Sequence, residues 1–237
     1  MISTVDTKKG EGLLLVLWFP GLFIIILMSA IIFISAGRIN YWQGWGFSAS
    51  MLLIMGTSIG IFIKDNRIDL IKERAKPGPG TKWWDKIFMA FFIPSYFAIM
   101  IVGSLDSGRY LWTTNFPLPL YILGYIIFSL SVAVQFWSIW VNRFFSSVVR
   151  IQTEREQVVI QNGPYRFVRH PGYLTGIFLG IGTSLVFGSL WGLIPAGVIA
   201  LLLIIRTGLE DAMLQRELAG YSDYAKKVKY RLFPGLW

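Results

Sequence analysis

The single histidine of this 237-residue chain, His170, lies in the run Gly163-Pro164-Tyr165-Arg166-Phe167-Val168-Arg169-His170-Pro171-Gly172-Tyr173, at the threshold of a long apolar stretch. At the far end of that stretch stand Arg206, Glu210 and Asp211. If the stretch folds back as a helical hairpin, both clusters meet at one face of a membrane. Pro171 suits the first turn of a helix, where its missing N–H has no helical partner to lose. The free N–H groups and positive dipole end of that turn favour an anionic group. Arg206, Glu210, Leu214 and Glu217 follow one another at spacings of four, four and three, so they share one helical face. A helix ion pair between Arg206 and Glu210 is one consequence of that spacing.

Such a pocket holds carboxylates, arginines, a histidine and tyrosines. Carboxylates bind an ammonium group, and Arg or His binds a carboxylate. Tyrosine faces attract a sulfonium. S-adenosylmethionine carries all of these groups.

The elements that position the clusters follow from composition. The chain is 54% apolar and 15% charged, where a soluble domain has about 25% charged residues. Several runs approach the ~20 apolar residues that cross a bilayer as a helix. Six candidate spans are expected, at roughly 13–35, 42–63, 87–105, 119–141, 171–187 and 190–209. The fifth has 17 residues, about 25 Å of helix, so five full spans are the alternative. The first is too long for a signal-peptide core and is expected to be retained. The fold class is therefore all-α: a polytopic transmembrane bundle of five to six spans with a C-terminal cytoplasmic cofactor pocket. Residues 1–141 form an N-terminal four-helix region, and 142–237 carry the motifs.

Six crossings place 20 of the 22 Lys and Arg residues on one side, leaving Arg38 and Arg109 on the other. The positive-inside rule makes the basic side cytoplasmic, with both termini and the pocket there. The +9 charge thus reads as membrane orientation, not nucleic-acid binding. No cysteine is present, which excludes disulfides and thiolate metal sites; with one histidine, no metal site is expected.

Three connecting segments have their own signals. The 64–86 loop reads as a short surface helix, then a Pro77-Gly78-Pro79-Gly80 turn. Segment 142–170, opened by Asn142 and Arg143, reads as a small hairpin or an extended flap. Gly220 reads as a helix stop, and Tyr221-Ser222-Asp223-Tyr224 as a tail that folds back as a lid. Gly176, Gly180, Gly182 and Gly188 lie in an apolar helix with no preceding strand, which favours close helix packing over nucleotide binding.

The three motifs together, from Gly163 to Tyr173, then Glu210-Asp211-x-x-Leu214, then Gly220-Tyr221-x-x-Tyr224, resemble the isoprenylcysteine carboxyl methyltransferases, which are similar in turn to the phospholipid N-methyltransferases. The resemblance covers about the last 95 residues. It implies a membrane methyltransferase that uses S-adenosylmethionine. It places Tyr165, His170, Pro171, Tyr173, Glu210, Asp211 and Tyr224 at the cofactor. Arg169, Arg206 and Glu210 are the candidate catalytic residues, the arginines near the acceptor or the cofactor carboxylate. The family commonly has two glutamates where this chain has Glu210-Asp211. The implied acceptor is a lipid-like or prenylated small molecule that enters from the membrane lipids. Carboxyl O-methylation and amine N-methylation both remain open. Membrane sterol reductases, which use NADPH, resemble the same region; they commonly carry Asn where Gly172 stands. A non-catalytic lipid-binding protein is the third class. The sequence does not set the oligomeric state.

Overall fold

The computed structural model describes residues 4–65, 67 and 80–237, with side chains described from Trp18 onward. Helix α1 runs Thr4–Ala36 and α2 runs Trp42–Lys64. Helix α3, Trp83–Ser104, continues into a wider π-turn, Leu105–Tyr110. Helix α4 is Leu118–Val141, α5 is Pro171–Val186, α6 is Leu193–Glu217 and α7 is Tyr221–Lys227. No strand occurs among the described residues. Five of these helices are long and apolar enough to cross a membrane, and the chain is a multi-pass integral membrane protein.

The exception in length is α5, with 16 residues, or ~24 Å at 1.5 Å per residue. It still runs from one end of the bundle to the other. Its start lies beside the Arg206 end of α6. Its last carbonyl neighbourhood lies beside the far end of α3, where Phe187 O accepts from Ser107 Oγ at 2.5 Å and Ser189 Oγ donates to Asp106 Oδ2 at 2.6 Å. Asp106 also accepts from Thr113 N–H and Thr113 Oγ1, both at 2.6 Å. These bonds satisfy a fully buried carboxylate at the end remote from the histidine motif.

Glycine explains how α5 fits. A Cβ on Gly182 would meet Phe128 N at 2.8 Å, and one on Gly124 would meet Val186 N at 2.9 Å. The backbones of α4 and α5 therefore touch through glycines on both helices. Close backbone approach is what small residues give membrane helices, where lipid removes the hydrophobic drive for association. On the opposite face, Gly180 packs toward Ala196 of α6 at 3.5 Å. The apolar residues left facing outward, such as Phe23, Leu53, Phe91 and Leu130, are 60% or more exposed, as a lipid-facing surface is.

The structure refines several expectations. The hairpin break falls at Phe187-Gly188, with Gly188 at φ 67. The last long helix extends to Glu217, eight residues beyond the expected end, so it carries its polar turn out of the apolar core. The surface helix expected in the 64–86 loop, with most of its Pro-Gly turn, lies outside the described residues. Segment 142–170 forms the flap and not the hairpin: its described structure is irregular, with tight 3-10 turns at Thr153–Arg155 and Gly163–Arg166. The Gln152 amide explains why no strand pair is needed. Its side chain donates to Phe144 O at 2.7 Å, and its N–H donates to Gln157 Oε1 at 2.8 Å, closing the loop on itself.

Candidate functional site

Asp211 is the point where three separated segments are joined. It is wholly buried and accepts from Tyr221 O–H at 2.8 Å, Arg231 Nε at 2.9 Å and Gln215 Nε2 at 2.8 Å. Arg169 Nε lies 3.3 Å and His170 Nε2 3.4 Å from its Oδ1. A buried carboxylate is costly unless paired and fully hydrogen-bonded, and this one is both. The backbone repeats the tie: Arg169 N–H donates to Tyr230 O and His170 N–H to Arg231 O, each at 3.0 Å. The histidine motif, the end of α6 and the C-terminal tail thus form one unit.

The tail is ordered by Gly220, whose φ of 80 opens α7 one turn after α6 stops at Leu218. The expected stop at Gly220 is therefore the turn into α7. Tyr221 and Tyr224 are 4% and 2% exposed, so they are core residues and not interface aromatics. Tyr224 O–H donates to Tyr165 O at 2.6 Å. Tyr165 O–H accepts from Asn142 Nδ2 at 3.0 Å at the end of α4. Burial pushes both tail hydroxyls well above the usual tyrosine range, for Tyr221 with help from the Asp211 charge, so each stays a donor.

Between this unit and the flap lies a cavity of about 110 Å³ with an open mouth. Its wall includes Tyr165, Arg169, His170, Pro171, Tyr173, Glu210 and Tyr224 from the residues singled out in the sequence. The flap supplies the other wall, from Asn142 to Ile160. Gly172 lets that wall close: a Cβ there would meet Phe145 Cε2 at 2.9 Å.

Glu210 and Asp211 are neighbours with opposite environments. A helix turns about 100° per residue, so they face different sides. Asp211 points into the tail cluster and does not line the cavity. Glu210 does, and among the described residues its hydrogen bond comes from the neutral Tyr173 hydroxyl. The Tyr173 ring stacks on the imidazole of His170, centroids 5.6 Å apart and 5° from parallel.

Arg206 is also held apart from the cavity. Its partner is not Glu210, one turn along the same helix. Its Nη2 lies 2.9 Å from Asp85 Oδ1 and donates to Ser147 O at 3.0 Å. The guanidinium sits 4.3 Å from the Phe88 ring centre and 5.1 Å from that of Tyr173. Asp85 Oδ2 accepts Val149 N–H at 2.7 Å. The shared helical face is real, but its charges reach across to α3: Lys82 Nζ pairs with Glu217 at 2.8 Å in the same way. Coulomb attraction to a buried partner on a neighbouring element outweighs a pair along one helix.

Three contributors escaped the sequence reading. Asp85 is a lone carboxylate opening an apolar helix, a position that marks function or pairing in membrane helices. Arg231 lies in a tail with no pattern. Arg150 is isolated between Val149 and Ile151, and its side chain lines the cavity. Among the described residues, no group of three His, Cys, Asp or Glu side chains is placed to hold a metal.

Residues 119–219, which span α4 through α6, the flap and both polar motifs, match the family described as phospholipid methyltransferase. This region is similar to phospholipid and isoprenylcysteine methyltransferases. Among curated relatives, the probable protein-S-isoprenylcysteine O-methyltransferase of Oryza sativa subsp. indica is 29% identical over 131 residues, covering 52% of this chain and 62% of the relative. Protein-S-isoprenylcysteine O-methyltransferase B of Arabidopsis thaliana is 25% identical over 124 residues, covering 49% of this chain and 57% of the relative. The match thus covers less than two thirds of these relatives' length. The matched region contains every residue of the cavity wall that the sequence singled out except Tyr224, which follows it in α7.

Proposed function

We propose that the chain transfers a methyl group from S-adenosylmethionine to a lipid-like acceptor at the cytoplasmic membrane face, with a carboxylate acceptor favoured over an amine. The observation that carries this reading is the contrast between the two acidic neighbours. Asp211 is consumed by the fold, whereas Glu210 presents a carboxylate to the open-mouthed cavity with one hydrogen-bond partner, Tyr173. A ligand ammonium is the natural complement to such a group.

The residues fit a zwitterionic, sulfonium-bearing donor. Glu210 takes the ammonium, and Tyr173 orients Glu210 through its hydroxyl. His170 stacks on the Tyr173 ring and the Arg206 guanidinium lies 5.1 Å from its centre, which fixes the ring. Asp211 is a positioning residue that fixes Arg169, His170 and Tyr221 at the cavity edge. Arg206 is likewise a positioning residue: it clamps the flap through Ser147 O and Asp85. When bound, the donor would supply an electrophilic methyl to an acceptor oxygen lone pair, the electrons of the C–S bond staying on sulfur, so that a neutral thioether and a methyl ester would result. A carboxylate acceptor needs no proton removed, so the site requires no general base, only placement and exclusion of water.

The curated relatives' printed names support a prenylated cysteine carboxylate as acceptor. The cytoplasmic placement rests on the asymmetry of Lys and Arg. The test is methyl incorporation from labelled S-adenosylmethionine by protein in vesicles. The expected product with a prenylcysteine is a base-labile methyl ester. Stable N-methyl label in phosphatidylethanolamine would move the acceptor class to amines. No transfer to either, with stabilisation by NADPH instead, would overturn the reading in favour of a reductase.

A further inference from the structure

We propose that Arg150 is the residue that binds a ligand carboxylate in this cavity. The assignment rests on the methyltransferase reading and adds a residue that the sequence motifs do not include.

Besides His170, the cavity wall carries two cationic side chains, Arg150 and Arg169. Arg169 and His170 converge on the buried Asp211, at 3.3 and 3.4 Å. Arg206 is held by Asp85 at 2.9 Å. These two arginines face fully buried carboxylates, and Asp211 is shared with Arg231.

Arg150 does not. Its side chain is 7% exposed, and both its Nε and its Nη1 lack a hydrogen-bond partner among the described residues, where Arg169 and Arg206 each leave only the Nε so. Its Nη1 lies 2.6 Å from Glu154 Oε1 but outside hydrogen-bond geometry, and the Glu154 side chain is 51% exposed. A buried guanidinium whose fork is unfilled is costly, because its donors have left water without acceptors. A carboxylate in the cavity would fill that fork with two parallel charge-assisted bonds.

The backbone on either side of Arg150 is fixed. Val149 N–H donates to Asp85 at 2.7 Å, and Val149 O accepts from Lys82 N–H at 3.2 Å. Two residues on, Gln152 is anchored to Phe144 O. The guanidinium is therefore presented from a braced wall, as binding groups must be. With Glu210 on the same cavity, the site offers one acidic and one basic group, which suits an amino-acid end. The carboxylate is that of the methyl donor or that of the acceptor, and the ligands below separate the two.

Titration calorimetry of purified Arg150→Gln against wild type provides the test. S-adenosylhomocysteine carries the amino-acid carboxylate, and 5′-methylthioadenosine lacks it. Loss of a charge-assisted pair weakens binding by about tenfold to hundredfold. That loss for S-adenosylhomocysteine alone, with methylthioadenosine unchanged, assigns Arg150 to the donor. Unchanged nucleoside binding, with the same loss for a prenylcysteine carboxylate but not for its methyl ester, assigns Arg150 to the acceptor. Equal loss for ligands with and without a carboxylate, or no loss for any, overturns the proposal. Glu154→Gln leaves the guanidinium in place and frees it. It is expected to tighten binding of the carboxylate ligand about two- to fivefold, and unchanged or weaker binding overturns the proposal even if Arg150→Gln does not fold. Wild-type protein that binds neither nucleoside overturns the methyltransferase reading itself, whereas failure confined to the variants overturns the Arg150 assignment alone.

Discussion

Asp211→Asn should unfold the site, while Glu210→Gln should empty it. Asp211 is fully buried and takes three hydrogen bonds, from Tyr221, Arg231 and Gln215, with Arg169 and His170 at its edge. The amide keeps one acceptor, loses the charge, and turns a donor toward other donors. Removing one side of a buried ion pair costs about 3–5 kcal/mol, because the partner charge is left uncompensated. For a protein of this size each kcal/mol moves Tm by about 2–4 °C, so a fall of roughly 6–20 °C is expected. Glu210 is partly exposed on the cavity wall, and the Gln carbonyl still accepts from Tyr173 O–H. Its substitution should shift Tm by no more than about 2 °C while weakening S-adenosylhomocysteine about tenfold to hundredfold. Thermal unfolding in detergent, followed by tryptophan fluorescence and paired with calorimetric titration, reads both. Equal Tm changes in the two variants, or Asp211→Asn within 2 °C of wild type, would refute the division of labour between these neighbours.

The remaining expectations follow from the same contacts. In a double-mutant cycle of Asp85→Asn and Arg206→Met, each single change should cost about 3–5 kcal/mol and the pair together much less, since removing both charges leaves nothing unpaired; additive costs would break the pairing. Gly182→Leu should abolish stable insertion, measured as monodisperse protein recovered in detergent, because it forces α4 and α5 apart where a Cβ would already meet Phe128 N at 2.8 Å. Stability should fall as pH rises above about 10: folding holds the Tyr221 hydroxyl protonated beyond its unfolded value, so its contribution is complete below that value and is lost on the way up. Tyr221→Phe should flatten that slope in a Tm series from pH 8 to 11. The chain has no cysteine, so single cysteines at Glu154 and Asp223 should label only from the cytoplasmic side of oriented vesicles, and those at Arg38 and Trp112 only from the other.

The parts of the fold legible in the sequence were those written in local pattern. Apolar runs and their Lys and Arg flanks set the helices to within a few residues, except where α1 begins nine residues before its expected start and where α6 outran its apolar stretch. Its polar last turns are held by Asp85, Lys82 and the tail, and no local pattern records those partners. Spacing put Arg206, Glu210, Leu214 and Glu217 on one face, and the structure has them so, but spacing could not say that the charges would turn to α3. The meeting of His170 with Asp211 followed from folding the hairpin back on itself. Which acidic neighbour opens to the cavity depended on the C-terminal tail, whose Arg231 and Tyr221 arrive from 20 and 10 residues away. Arg150 was hidden by its apolar neighbours: in sequence it is a lone cation in a loop, and its burial is a product of the flap.

The most direct measurement is calorimetric titration of the purified wild-type protein with S-adenosylhomocysteine, with NADPH as the competing ligand. Saturable one-to-one binding of the nucleoside, lost in Glu210→Gln, and no heat from NADPH is the predicted result. Binding of NADPH with none of S-adenosylhomocysteine would contradict a cavity built for a sulfonium donor.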